Sequence, residues 1–443
     1  MKKFLTFSLA LGLVSTALAE EIKSLSCGQG IPGIDEPQLM VLGISPNGKY
    51  ACGAVESGDG VFVANIETGE VKYNLPETID DDGAQLRRID NNGLAIGFFS
   101  DYGLTWQFDS DELTFLDGPE GSRGILGEAL TNDGSMLVGS IRESDTKAAY
   151  CKEGGEWTKL PMPPEEEVLQ LVKNMPQASA AKRVSGDGKV ILGFIGSFLL
   201  PCIWVMDENG EYVPDLFPVK FLKLTEEDID NDERPLIGIS AFYLALSNSG
   251  RYACLLGLLP DEEFGEMYVP VIYDTETKSL IVYSEYQDID YSNMGLYPSA
   301  ICNDGTFIGT VGAPLFGSIG CFIMKAGETQ AELFVDAIPE YNDKYGECDL
   351  LGFNLGTGMS ADGQYICGYA FYSDDYYDKE SPAYYESYVL DRGNGTVSVD
   401  GLTEGLAMPE TIYSIDGRSL RSMAKGINIV RNSDGSVSKV IKK

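Results

Sequence analysis

Apolar positions run along this chain in short stretches, some alternating with polar residues and some unbroken. Asn-Gly, Asp-Gly and Ser-Gly pairs punctuate them. Runs of this length read as half-buried or fully buried strands. In the first group Leu39–Ser45, Lys49–Glu56, Val61–Glu67 and Glu70–Leu75 are separated by Pro46-Asn47-Gly48, Ser57–Gly60 and Thr68-Gly69. Four short strands per group are predicted.

The group recurs along the chain. ISPNGKYACG from Ile44 is followed by RIDNNGLAIG from Arg88, LTNDGSMLVG from Leu130 and VSGDGKVILG from Val184. Then come LSNSGRYACLLG from Leu246, ICNDGTFIG from Ile301 and MSADGQYICG from Met359. The turn glycines Gly48, Gly93, Gly134, Gly188, Gly250, Gly305 and Gly363 stand 41 to 62 residues apart. Such pairs between apolar runs predict a hairpin, and a type I′ turn would need φ > 0 at both central residues. A second glycine, as at Gly53, Gly139, Gly193 and Gly368, predicts close approach of backbone inside a strand. Leu255 stands there in the fifth repeat, so that unit is expected to be irregular.

A third-strand register repeats as well. Phe62, Trp106, Tyr150, Trp204, Phe322 and Tyr388 each stand three residues before a turn-entry residue, with Val271 in the fifth repeat. One large side chain per unit is what packing between neighbouring units requires. The prediction is an all-β fold, a seven-bladed β-propeller over residues 39–401, followed by a short C-terminal β module. Closing the ring removes exposed sheet edges. A β-sandwich assembly or an open solenoid is the competing architecture.

Residues 1–19 read as a signal peptide: Lys2 and Lys3, an apolar Phe4–Val14, then Ala17-Leu18-Ala19. Residues 20–38 read as an N-terminal linker. Export is expected, without membrane insertion, because no later stretch reads as a spanning helix.

Composition narrows the chemistry. The 443 residues carry a formal charge of −36 and no histidine. Ser-His-Asp and Cys-His machinery and His-ligated zinc are thereby excluded. The acidity weighs against a nucleic-acid partner. Among nine cysteines, Cys52, Cys254 and Cys367 occupy one position of the repeat, so mostly free, buried thiols are expected. Paired carboxylates could still hydrolyse a glycoside, but 68 acidic residues single out no pair, and no catalytic residue is assigned.

Three insertions interrupt the repeats. Pro164–Met175 predicts a short helix with acidic residues in its first turn. Thr225–Arg234 is an acidic loop in which Asp228, Asp230 and Asp232 form a weak calcium candidate, lacking the glycine an EF-hand loop needs. Ser373–Glu386 holds Tyr376, Tyr377, Tyr384 and Tyr385, the candidate ligand-binding residues, since tyrosine offers a flat apolar face and a hydroxyl.

The recurring order of a small apolar residue, Ser or Asn, x-Asp/Asn-Gly and a strand ending in Gly resembles HAF-type extracellular repeats and related bacterial propeller repeats. The likeness covers about residues 40–400. Beyond it, 402–443 forms a basic tail. A strand at Ile412–Ile415 with its turn at Asp416-Gly417 is followed by a hairpin of Ile427–Val430 and Ser436–Ile441. This tail resembles the C-terminal sorting domain of type IX secretion through Gly417, the Gly426–Val430 element and Lys439-Val440-Ile441-Lys442. Asn428 stands where that family commonly has Tyr. The resemblance implies engagement of the secretion machinery, passage to the outer surface, and removal of the tail with attachment there. The competing reading is a terminal hairpin docked on the propeller.

Together these features lead to a secreted or cell-surface scaffold for a protein or glycan ligand. The alternatives are a carboxylate-dependent glycan-active enzyme on a propeller face and a structural envelope protein.

Overall fold

The computed structural model describes residues 21–25, 39–55, 60–74, 83–100, 102–196, 200–216, 243–261, 265–283, 295–313, 317–325, 328, 331–334, 355–373, 383–392, 411–414, 419–420, 426–431 and 437–442. Their strands form four-stranded antiparallel sheets, seven of which are blades. The first strands of the blades are Leu39–Ile44, Ala84–Ile89, Gly124–Leu130, Ser179–Val184, Ala245–Leu246, Gly295–Ile301 and Leu355–Met359. Each touches the first strand of the next blade, and the seventh touches the first. The ring is therefore closed, and its innermost strands wall a central channel.

The stretch read as a linker contributes to this closure. Glu21–Leu25 pairs antiparallel with Ala383–Asp391, from Glu21 opposite Asp391 to Leu25 opposite Ser387. It is the outermost strand of blade seven. At the same seam Ser387 Oγ accepts from the Val41 amide at 2.8 Å and donates to the Leu39 carbonyl at 2.6 Å. Thr357 Oγ1 donates to the Val41 carbonyl at 2.8 Å.

The repeated turn motif has a chemical reason different from the expected type I′ turn. The glycine amide bonds the carbonyl three residues back, as Gly48 does to Ser45 at 2.9 Å and Gly188 to Ser185 at 3.0 Å. Only the glycine has positive φ, +73° at Gly48 and +75° at Gly188. The loop is thus a type I turn followed by a left-handed glycine. Three residues before that glycine stands a buried Ser45, Asp90, Thr131, Ser185, Ser247, Cys302 or Ser360. In blade one, Ser45 Oγ donates to Asn47 Oδ1 at 2.7 Å and accepts from the Tyr50 amide at 2.9 Å. Ser185 and Ser360 repeat the pattern with Asp187 and Asp362. The hydroxyl and the Asn/Asp before Gly tie the loop's two ends together, which is why both recur in sequence.

The second glycine answers to a bulge. Pairing of first and second strands slips by one residue at Leu42, Arg87, Glu128, Lys182, Ser299 and Thr357. The slip drives a carbonyl of the first strand toward the second. A Cβ on Gly53 would lie 2.0 Å from the Met40 oxygen, and one on Gly193 would lie 1.9 Å from that of Ala180. No side chain fits. In blade five Ala245 and Leu246 pair with Cys254 and Ala253, and Leu255 stands at the position of the second glycine.

Hydrophobic clusters between blades hold the ring. Phe62 lies between blades seven and one, Trp106 between one and two, Trp204 between three and four, Phe322 between five and six, and Tyr388 between six and seven. Burial of each contributes about 1.5–3 kcal/mol. Tyr150 departs from the expected register. Gly139 faces Ala149, so Tyr150 falls one position on. It packs toward blade four, its ring 5.0 Å from that of Tyr212, because a one-residue step changes sheet face. Cys52, Cys254 and Cys367 are free and buried opposite Gly43, Ala245 and Gly358. Burial pushes all three thiols up, Cys367 to about 12.

The predicted helix is shorter than 164–175 suggested. Only Glu165–Val168 is helical, and Pro164 at its start makes no side-chain cap. Val168 and Leu171 are buried between blades three and four, so packing fixes this segment where helical periodicity does not. The C-terminal module is a separate sheet. Thr411–Ser414 pairs with Ser419–Leu420 and with Gly426–Arg431, which pairs in turn with Val437–Lys442.

Candidate functional site

One end of the channel is bounded by a hoop of hydrogen bonds made by the residue two before each turn glycine. The amide of Asn91 donates to the Asn132 carbonyl at 3.0 Å, Asn132 to Gly186 at 3.1 Å, and Gly186 to Asn248 at 2.7 Å. Asn303 donates to Ala361 at 2.9 Å and Ala361 to Pro46 at 2.8 Å. Two side chains complete the circle. Ser249 N donates to Asn303 Oδ1 at 2.7 Å. Proline has no amide to give, and Asn47 N donates instead to Asn91 Oδ1 at 2.9 Å.

The bulge positions of blades two, three and four form a charge cluster. Glu128 of blade three, 2% exposed, accepts from Arg87 of blade two at 2.8 Å and from Lys182 of blade four at 2.5 Å. The Arg87 guanidinium also lies 4.5 Å from the Phe98 ring centroid. Burial acts to raise the Glu128 carboxyl, but the charges of Lys182 and Arg87 outweigh it and hold the group below the ordinary carboxylate range. Burial pulls Lys182 down against the pull of Glu128. One carboxylate shared by two cations leaves the acid as the better-compensated partner.

The next residue in two of these strands is also basic. Arg88 Nη1 donates to the carbonyls of Leu42, at 3.1 Å, and Arg87. Arg183 Nη1 donates to the Lys182 carbonyl at 2.8 Å. Neither guanidinium forms an ion pair with a described residue. Desolvation, with the Arg88 charge added to it, pulls Arg183 well below the ordinary guanidinium value. Both arginines line a cavity of about 100 Å³ in the channel. The opposite wall presents Ser299, Thr357 and Gly358. Two guanidiniums thus line a channel cavity in a chain of net charge −36, and the Arg87–Glu128–Lys182 cluster stands one residue before them along adjacent strands.

Of the sequence-predicted site residues, Tyr376, Tyr377, Asp228, Asp230, Asp232 and Gly417 lie outside the described residues. Tyr384 and Tyr385 fall on the third strand of blade seven, paired with Tyr372 and Phe371. Gly426 opens and Lys439 lies within the two strands of the C-terminal hairpin, opposite Lys442 and Ile429. Among the described residues no group of three or more Cys, Asp or Glu is placed to hold a metal, and no helix is long and apolar enough to cross a membrane. The channel cluster escaped the sequence reading. Its signal was present in Arg87-Arg88, Glu128 and Lys182-Arg183, charges just before the turn motif where the remaining repeats carry Leu-Gly, Leu-Ala, Ser-Ala and Thr-Gly.

Fold and channel together define a seven-bladed β-propeller. No family model matches the chain and no curated protein does. Solved propellers are similar at low identity. An oligogalacturonate lyase from Vibrio parahaemolyticus is 9% identical with a TM-score of 0.47, over 84% of this chain and 97% of that one. A chain of a mitotic checkpoint complex is 12% identical with a TM-score of 0.45, over 87% and 98%. The propeller domain of the trilobed protease from Pyrococcus furiosus is 11% identical with a TM-score of 0.43, over 81% and 96%. Likeness at this level leaves activity and ligand to the chain's own residues.

Proposed function

We propose that this protein is an exported binding scaffold whose propeller presents a protein or glycan ligand-binding surface at the channel. The observation that supports it is the pair of guanidiniums, Arg88 and Arg183, lining the channel cavity beside the Arg87–Glu128–Lys182 cluster, all set on strands rather than loops. Rigid elements hold binding groups with the least loss of conformational entropy on association. The tail at 402–443 serves delivery to the cell surface, supported by its resemblance to the type IX sorting domain.

A glycan array and a polysaccharide hydrolysis screen with the full chain test the first part. Retention of a glycan without release of reducing ends supports the scaffold. Reducing ends that vanish on an Asp or Glu substitution would show a glycan-active enzyme. Fusing residues 402–443 to a reporter tests the second part, because a tail that fails to direct the reporter outward in a type IX host has no sorting role.

A further inference from the structure

We propose that the channel holds an oxyanion subsite, in which Arg88 and Arg183 take a carboxylate or phosphoryl group of the ligand. The proposal rests on the channel being the binding surface and names the chemistry taken there. Three observations support it. The Arg87–Glu128–Lys182 triad leaves one positive charge over, and Arg88 and Arg183 add two more. No described carboxylate pairs with those two arginines, although both line the cavity. Each spends one terminal nitrogen on strand carbonyls, which fixes the side chain and leaves further donors of the planar fork for a ligand.

The energetics run the same way. A guanidinium does not shed its proton in a protein, so its desolvation remains as destabilisation unless an anion compensates it. A cavity of about 100 Å³ has room for such a group, since one water needs roughly 10–15 Å³ on the same measure. The neutral wall offers little competition. Thr357 Oγ1 and Ser299 Oγ donate to the Val41 and Gly356 carbonyls. Selection therefore falls to the arginine side, where charge-assisted and two-pronged bonds favour oxyanions over neutral ligands.

Titration calorimetry of inorganic phosphate, and separately of acetate, into the full chain at constant ionic strength tests this. Saturable binding of one or both probes at millimolar concentration is expected. R183Q should weaken it about tenfold or more, about 1.4 kcal/mol. R183K, which keeps the charge and loses the fork, should weaken it less. K189Q, at the exposed Lys189 of the same blade, should leave it unchanged. Circular dichroism verifies that each variant is folded, and R183K supplies the comparison if R183Q is not. Phosphate alone identifies a phosphoryl ligand group and acetate alone a carboxylate. Absence of saturable binding with both probes, or equal affinity in wild type and both Arg183 variants, overturns the proposal. Glycan or protein binding that survives R183Q, with no anion bound, removes the subsite and spares the scaffold. Anion binding without any macromolecular ligand does the reverse.

Discussion

At the residue scale, Glu128 and Asp90 show how two buried carboxyls in one ring have opposite consequences. Glu128 is held below its ordinary range, so the stability it contributes is present above the unfolded carboxyl value of about 4.3 and is lost as pH falls through the folded value. E128Q leaves Arg87 and Lys182 facing each other and is expected to destabilise by about 3 kcal/mol at neutral pH. Thermal melts should show the gap between wild type and E128Q closing on acidification. Asp90 runs the other way. Burial raises its carboxyl despite amide bonds from Leu94 and Asn92. Its contribution is therefore complete below the unfolded value of about 3.9 and lost as pH rises through the folded one. Ser occupies this position in four other blades. D90S should raise the melting temperature at neutral pH, with the gain shrinking in acid.

At the scale of the element, the bulge links two positions that sequence shows as unrelated. A slipped residue in the first strand and a glycine in the second are one device, because the slip places a carbonyl where a Cβ would stand. G193A is expected to cost about 1–3 kcal/mol through overpacking against Ala180, read from a chemical denaturation midpoint with unchanged slope. Strands, turns and the recurring glycines were legible because each obeys a local rule. Turn geometry was less so. Asn-Gly names a hairpin, but the buried hydroxyl three residues before the glycine, which closes the loop, signals only once its partners are known. Tyr150 was misplaced for a related reason: counting from the third-strand turn misses the pairing of Gly139 with Ala149, and parity decides the face. The channel cluster was hidden further, since its members lie some 40–55 positions apart and meet only when the ring closes.

At the scale of the whole molecule, charge is divided. The chain as a whole is strongly acidic, while its channel cavity carries the guanidiniums of blades two and four. A narrow low-dielectric passage concentrates the field of its wall, so the inner sign outweighs the outer one for a group already inside. The ring itself depends on residues near both ends of the propeller. Deleting Glu21–Leu25 strips blade seven of its outer strand and should lower the melting temperature relative to a chain beginning at Glu20. Scanning calorimetry reads this directly, and an unchanged melt would mean that the three remaining strands with the Ser387 and Thr357 bonds suffice for the seam.

Because Glu21 lies directly across from Asp391, the beginning and end of the circle are neighbours on one outer rim, roughly 5 Å apart between α-carbons. A short peptide joining them would convert the propeller into a continuous hoop of chain, and new ends could be cut at the exposed Gly154-Gly155 turn of blade three. Such a permutant, or cargo fused at the original rim, would leave both openings of the passage unobstructed.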